Sequence, residues 1–98
     1  MSQLIYVIED DESIRELIKV SLESFSYRVE AFKTAEDGLD AIGGQLPDMA
    51  LFDLMLPKMD GLSAIKELRK NPKTHDLPII ILTAKGTEID KVMGLDGG

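Results

Sequence analysis

Ninety-eight residues, 44% apolar and 30% charged, suit a single small globular domain and are too apolar for a disordered chain. A net charge of −7 argues against direct nucleic-acid binding by this segment, and the absence of cysteine excludes a disulfide framework and a thiolate metal site. No apolar run approaches a membrane span, and the amino terminus MSQLIYVIEDD lacks the basic-then-apolar order of a secretory signal, so a cytoplasmic home is expected.

In chain order, Leu4 to Ile8 (LIYVI) is an unbroken apolar run rich in β-branched residues, as in a strand covered on both faces. Four acids follow, Glu9 to Glu12. Ser13 and Glu16 form an S-x-x-E capping pattern, and Ile14, Leu17, Ile18, Leu22 and Phe25 then recur at helical spacing. Tyr27 to Phe32 alternates and predicts a second strand. Thr34 with Asp37 opens a weaker helix with Ala35, Leu39 and Ile42 on one face, Gly38 inside it and Gly43-Gly44 at its end. Pro47 and Asp48 lead into a third strand, Met49 to Phe52, which stops at Asp53. Asp60 caps a helix carrying Leu62, Ile65 and Leu68, with Lys66, Arg69 and Lys70 toward its carboxyl end and Asn71-Pro72 as its stop. Pro78 to Thr83 (PIIILT) reads as a buried fourth strand, and Thr87 with Asp90 as the start of a fourth helix through Ile89, Val92, Met93 and Leu95. Alternating strands and helices predict an α/β fold on a parallel sheet, residues 1–98 forming one domain.

In doubly wound sheets, sites lie at the carboxyl ends of strands beside a topological switch point. Here those ends carry Glu9 and Asp10, then Lys33 and Thr34, then Asp53, then Thr83. If the first and third strands are neighbours, Glu9, Asp10 and Asp53 converge, and close like charges raise one another's pKa unless a cation neutralises them. Oxygen ligands without His or Cys suit Mg²⁺. A carboxylate beside that ion can act as a nucleophile toward phosphorus and form an aspartyl phosphate, with Thr83 offering a hydroxyl to a phosphoryl oxygen. Taken singly, each feature has a plainer reading. Acids after a strand favour a helix N-terminus, to which Asp11 and Glu12 are assigned. Asp53 alone suits a turn, Thr83 a strand, Asp60-Gly61 a turn and cap, His75 an exposed loop, and the methionines packing.

The pieces YVIEDDESIREL, DLMLPKMDGL, PIIILTA and KVMGLDGG, in this order and spacing, resemble the response-regulator receiver domain of two-component signalling. The resemblance implies a flavodoxin-like fold, Asp53 as phosphoacceptor and a histidine kinase as phosphodonor. It also implies Mg²⁺ held by Asp10, Asp53 and the Met55 backbone carbonyl, with Glu9 acting through water, and Thr83 as the switch hydroxyl. The wording of DLMLPKMDGL is similar to receivers joined to winged-helix transcription factors. Family members run about twenty residues longer, through a fifth strand and helix that supply a phosphoryl-contacting lysine and an aromatic switch residue. Lys85 follows the wrong strand to replace that lysine. The expectation is therefore a receiver of four β-α units, strand order 2-1-3-4, whose fourth strand is a bare apolar edge open to strand exchange or self-association.

A haloacid-dehalogenase-type phosphatase would also use an aspartyl nucleophile, but it needs a second Asp where Met55 stands, so a signalling module and not an enzyme is expected. A fragment of the fold that assembles with another chain and signals poorly is the competing expectation. No phosphate-binding glycine loop and no hydrolase elbow is present.

Overall fold

A computed structural model describes residues 3–53, 61–82 and 89–90. The strands are β1 (Leu4–Ile8), β2 (Arg28–Phe32), β3 (Met49–Asp53), β4 (Ile79–Leu82) and β5 (Ile89–Asp90). The helices are α1 (Glu12–Glu23), α2 (Ala35–Gly44) and α3 (Gly61–Lys70). The sheet order is β2-β1-β3-β4-β5, with the first four strands parallel.

β1 lies between β2 and β3, which explains its unbroken apolar run: all five of its residues are buried. Successive side chains point to opposite faces. Leu4, Tyr6 and Ile8 join Ala50, Phe52 and Ile79 on the side covered by Ala35 and Ile42 of α2 and Ala64, Ile65 and Leu68 of α3. Ile5 and Val7 join Val29 and Leu51 on the other side, against Ile18 and Leu22 of α1. The second face is the thinner one. No residue of α1 is fully buried, and Ile14, Leu17 and Phe25, expected on its packed face, are exposed with Val20.

Local signals set the helix ends. Thr34 caps α2 by accepting the Asp37 amide at 3.1 Å, as its spacing with Asp37 predicts. The cap of α1 is two residues earlier than the Ser13–Glu16 pattern suggests: Asp11 accepts the Ile14 amide at 3.0 Å. A carboxylate placed at the turn leaving β1 satisfies the orphan amides first, so the serine falls inside the helix. α1 is left through Ser26, whose φ of 75° lies in the left-handed region, while the Tyr27 amide bonds back to Leu22. At the opposite end of the sheet Asp48 ties β3 to β1, its carboxylate accepting the Leu4 amide at 2.8 Å and its own amide donating to the Leu4 carbonyl at 2.7 Å.

Two expectations about the fourth strand are corrected. Ile89–Asp90 does not begin a helix but forms β5, antiparallel to β4, and the edge of β4 is not bare, because Ile81 and Leu82 pair with Asp90 and Ile89. Extended pairing satisfies edge amides and carbonyls that a helix would leave to solvent. The Asp60 cap and the segment from Thr83 to Thr87 lie outside the described residues, as do Val92, Met93 and Leu95.

Gly38 is required by a close approach. A Cβ there would lie 2.5 Å from Ile8 Cγ1, and Ile8 is fully buried. Helix propensity alone predicts that Gly38→Ala stabilises by roughly 0.5–1 kcal/mol. We expect the opposite, a loss of about 1–3 kcal/mol from overpacking against Ile8, measured by denaturant unfolding. Ser26→Gly should raise stability by roughly 0.5–1 kcal/mol in the same assay, because glycine carries no penalty at positive φ.

Candidate functional site

β1 and β3 run side by side in parallel with Ile8 opposite Phe52, so the next residues, Glu9 and Asp53, lie together at the carboxyl end of the sheet. Carboxylate oxygens of Glu9, Asp10 and Asp53 all lie within 4.8 Å of one another. Glu9 is 4% exposed, Asp53 is half-buried and Asp10 is exposed, so the cluster is graded from the sheet outward to solvent.

The backbone around Glu9 and Asp10 is held from several directions. The Glu9 amide donates to the Phe32 carbonyl at 3.0 Å, extending the β1–β2 ladder by one residue. The Asp11 amide donates to Glu9 Oε2 at 3.0 Å, and the Asp11 side chain caps α1. Arg15 Nη1 donates to the Glu9 carbonyl at 3.0 Å and to the Asp10 carbonyl at 3.3 Å. Arg15 is not singled out by the sequence, because an arginine inside an amphipathic helix carries no signal of which carbonyls it will reach. At the end of β2, Lys33 is exposed and Thr34 serves as the α2 cap.

Burial pushes the Glu9 carboxyl up to about 7, and the charge of Asp53, a hydrogen bond to its side chain and the charge of Asp10 act in the same direction. The Asp11 amide opposes them by stabilising the ionised form. When protonated, Glu9 can hydrogen-bond the Asp53 side chain. Three hard oxygen donors converging on one point fit a divalent cation of the Mg²⁺ type.

The structure therefore brings Glu9, Asp10 and Asp53 together. Met55 and Thr83 lie outside the described residues. His75 is in the loop between α3 and β4, where it contacts the neighbouring Asp76 at 3.2 Å with both side chains largely exposed.

Residues 5–98 match the response regulator receiver domain family, and the chain belongs to it. It is 41% identical over 92 residues to the transcriptional regulatory protein AfsQ1 of Streptomyces coelicolor, spanning 94% of this chain and 40% of that protein. It is also 41% identical over 97 residues to the DNA-binding dual master transcriptional regulator RpaA of Synechocystis, spanning 96% of this chain and 39% of that protein. The chain thus spans about two fifths of the length of these relatives. Among solved structures, the receiver domain of sensor histidine kinase PA1611 from Pseudomonas aeruginosa, with a magnesium ion coordinated in its active-site cleft, superposes with a TM-score of 0.83. The two are 32% identical, and the match covers 90% of this chain and 72% of that one. A putative response regulator from Chloroflexus aurantiacus superposes at 0.85 with 32% identity, over 89% of this chain and 71% of that one. The flavodoxin-like fold, with parallel strands in the order 2-1-3-4, is that of these receiver domains.

The raised pKa of Glu9 sets a pH dependence. Its folded value, about 7, lies above its ordinary value of 4.5, so the fold binds a proton that the unfolded chain releases. The contribution of Glu9 to stability is then full below about pH 4.5 and is lost as pH rises through about 7. Thermal melts in chelator across this interval should show the decline, and Glu9→Gln should flatten it.

Proposed function

We propose that this chain is a phosphoacceptor module of a two-component system in which Asp53 takes a phosphoryl group from a partner histidine kinase. The observation that carries the proposal is the convergence of Glu9, Asp10 and Asp53 within 4.8 Å at the carboxyl end of β1 and β3. Asp10 and Asp53, with the Met55 carbonyl, would hold Mg²⁺, and Glu9 would act through water. A bound Mg²⁺ would supply the positive charge that offsets the carboxylates and the incoming phosphoryl oxygens. An Asp53 carboxylate oxygen attacks the phosphorus of a phosphohistidine. An O–P bond forms, the P–N bond breaks, and the electron pair leaves with the imidazole nitrogen, which then takes a proton. Thr83 follows β4 and would offer its hydroxyl to a phosphoryl oxygen as the switch residue. The chemistry is one transfer per phosphorylation, a signalling role rather than turnover, and the bias between two conformations is the output.

The identity to two transcriptional regulators supports a place in the amino-terminal part of a transcriptional response regulator, acting in the cytoplasm. No described helix is long and apolar enough to cross a membrane. A net charge of −7 favours leaving any DNA contact to another segment. Among the described residues β5 pairs with Ile81 and Leu82, and the β4 edge is a candidate for strand exchange or self-association. A strict monomer in sedimentation across a wide concentration range would remove that candidate.

Incubation with Mg²⁺ and a small phosphodonor should add the mass of one phosphoryl group, absent in Asp53→Asn and absent in chelator. No mass gain on a folded chain overturns the proposal. Sustained hydrolysis of phosphate esters would point to a phosphatase instead.

A further inference from the structure

We infer that Arg15 is a positioning residue for the cation site, its guanidinium holding the Glu9–Asp10 backbone in the shape that carries both carboxylates to Asp53. The inference rests on the cation-site reading above. One nitrogen, Nη1, donates to two consecutive carbonyls, Glu9 at 3.0 Å and Asp10 at 3.3 Å. Those two residues supply two of the three converging carboxylates.

The placement follows from helix geometry. Arg15 lies four residues past the Asp11 cap, and its amide donates to the Asp11 carbonyl at 2.8 Å, so its stem is fixed to the start of α1. Side chains on a helix lean toward its N-terminus, which directs a long one back over the loop that precedes it. The acids from Glu9 to Glu12 favour a cation there, while the positive end of the helix dipole opposes it, as would any divalent ion among the carboxylates. What distinguishes this guanidinium is the pair of consecutive carbonyls it holds. Asp10 is exposed, and the bond to its carbonyl ties it to a rigid element. The Glu9 amide already spans to Phe32, so the Arg15 contact clamps the same peptide run from the helix side.

Positioning and charge predict opposite signs. As a simple repelling charge, Arg15 would weaken cation binding, and its removal would tighten it. As a clamp, its loss weakens binding, by about tenfold on the scale of other outer-shell partners. Arg15→Met keeps the aliphatic stem and removes the donors. Arg15→Lys restores a single donor at nearly the same reach, whereas Arg15→Gln removes the charge and ends well short of the two carbonyls. Lys19→Met makes the same charge change one turn further along α1, where Lys19 pairs with Glu23 at 3.0 Å.

Mg²⁺ titration of the 98-residue chain by calorimetry should show about tenfold weaker binding in Arg15→Met, most of it recovered in Arg15→Lys, and no loss in Lys19→Met. Without metal, hydrogen exchange at the Asp11 amide, which bonds to Glu9 Oε2, should quicken in Arg15→Met and return toward the parent rate in Arg15→Lys. Equal or tighter Mg²⁺ binding by Arg15→Met overturns the inference and leaves the cation-site reading standing. Absence of Mg²⁺ binding by the unsubstituted chain overturns both. Should Arg15→Met lose its helical signal in circular dichroism, Arg15→Gln carries the test: weaker Mg²⁺ binding than the parent supports the clamp, and equal or tighter binding overturns it.

Discussion

The site depends on the parallel pairing of β1 with β3. That register sets Ile8 against Phe52 and so delivers Glu9 and Asp53 side by side at the carboxyl end of the sheet. It is strongly specified because both strands are buried on both faces, with Val7, Ile8 and Phe52 fully inaccessible. A slip of one residue would turn the apolar sets of both clusters to the wrong sides, so the packing that stabilises the sheet also fixes the distance between the acids. Asp48 reinforces the same pairing at the opposite end, where it bonds to Leu4 in both directions.

Bringing carboxylates together at a buried strand end works against folding. Glu9 shows the cost: burial first, then its acidic neighbours, hold it protonated near neutrality. The surrounding bonds do not remove that cost. They orient the group, through the Phe32 carbonyl, the Asp11 amide and the Arg15 guanidinium. Bonds that fix a destabilised group without neutralising it suit the proposed cation site, since preorganised ligands bind without further ordering.

The two faces of the sheet are unequal. Among the described residues, twelve buried ones form the cluster under α2 and α3, where the fit is close enough that Gly38 meets Ile8 directly. Four described residues form the cluster under α1, and the outer apolar residues of that helix stay exposed. Ile8 thus belongs to the tightly packed side, and Glu9 follows it in the chain. The strand end that bears the site is therefore anchored by the better-filled face, while α1 is attached through Ile18 and Leu22 against the smaller cluster and through the Arg15 bridge.

Much of this was legible in the residues. Unbroken apolar runs marked β1 and β4, Thr34 with Asp37 marked the start of α2, and DLMLPKMDGL marked the family and Asp53. These are local signals, carried by neighbouring residues. Which residue caps α1 was not legible, because Asp11 and Ser13 are both good caps and only the turn after β1 selects the first. Nor was the fate of Ile89–Asp90, whose caps and apolar spacing suit a helix while the open backbone of β4 draws it into a strand. The sequence by itself determined the elements, their order and the acids at the strand ends, because periodicity and composition act over a few residues. Only the tertiary structure decided that Glu9, Asp10 and Asp53 meet, that Glu9 is the buried one, and that Arg15 reaches back to hold them. Those facts arise from strand pairing and side-chain reach between segments up to 44 residues apart, such as Glu9 and Asp53, and local patterning cannot encode them.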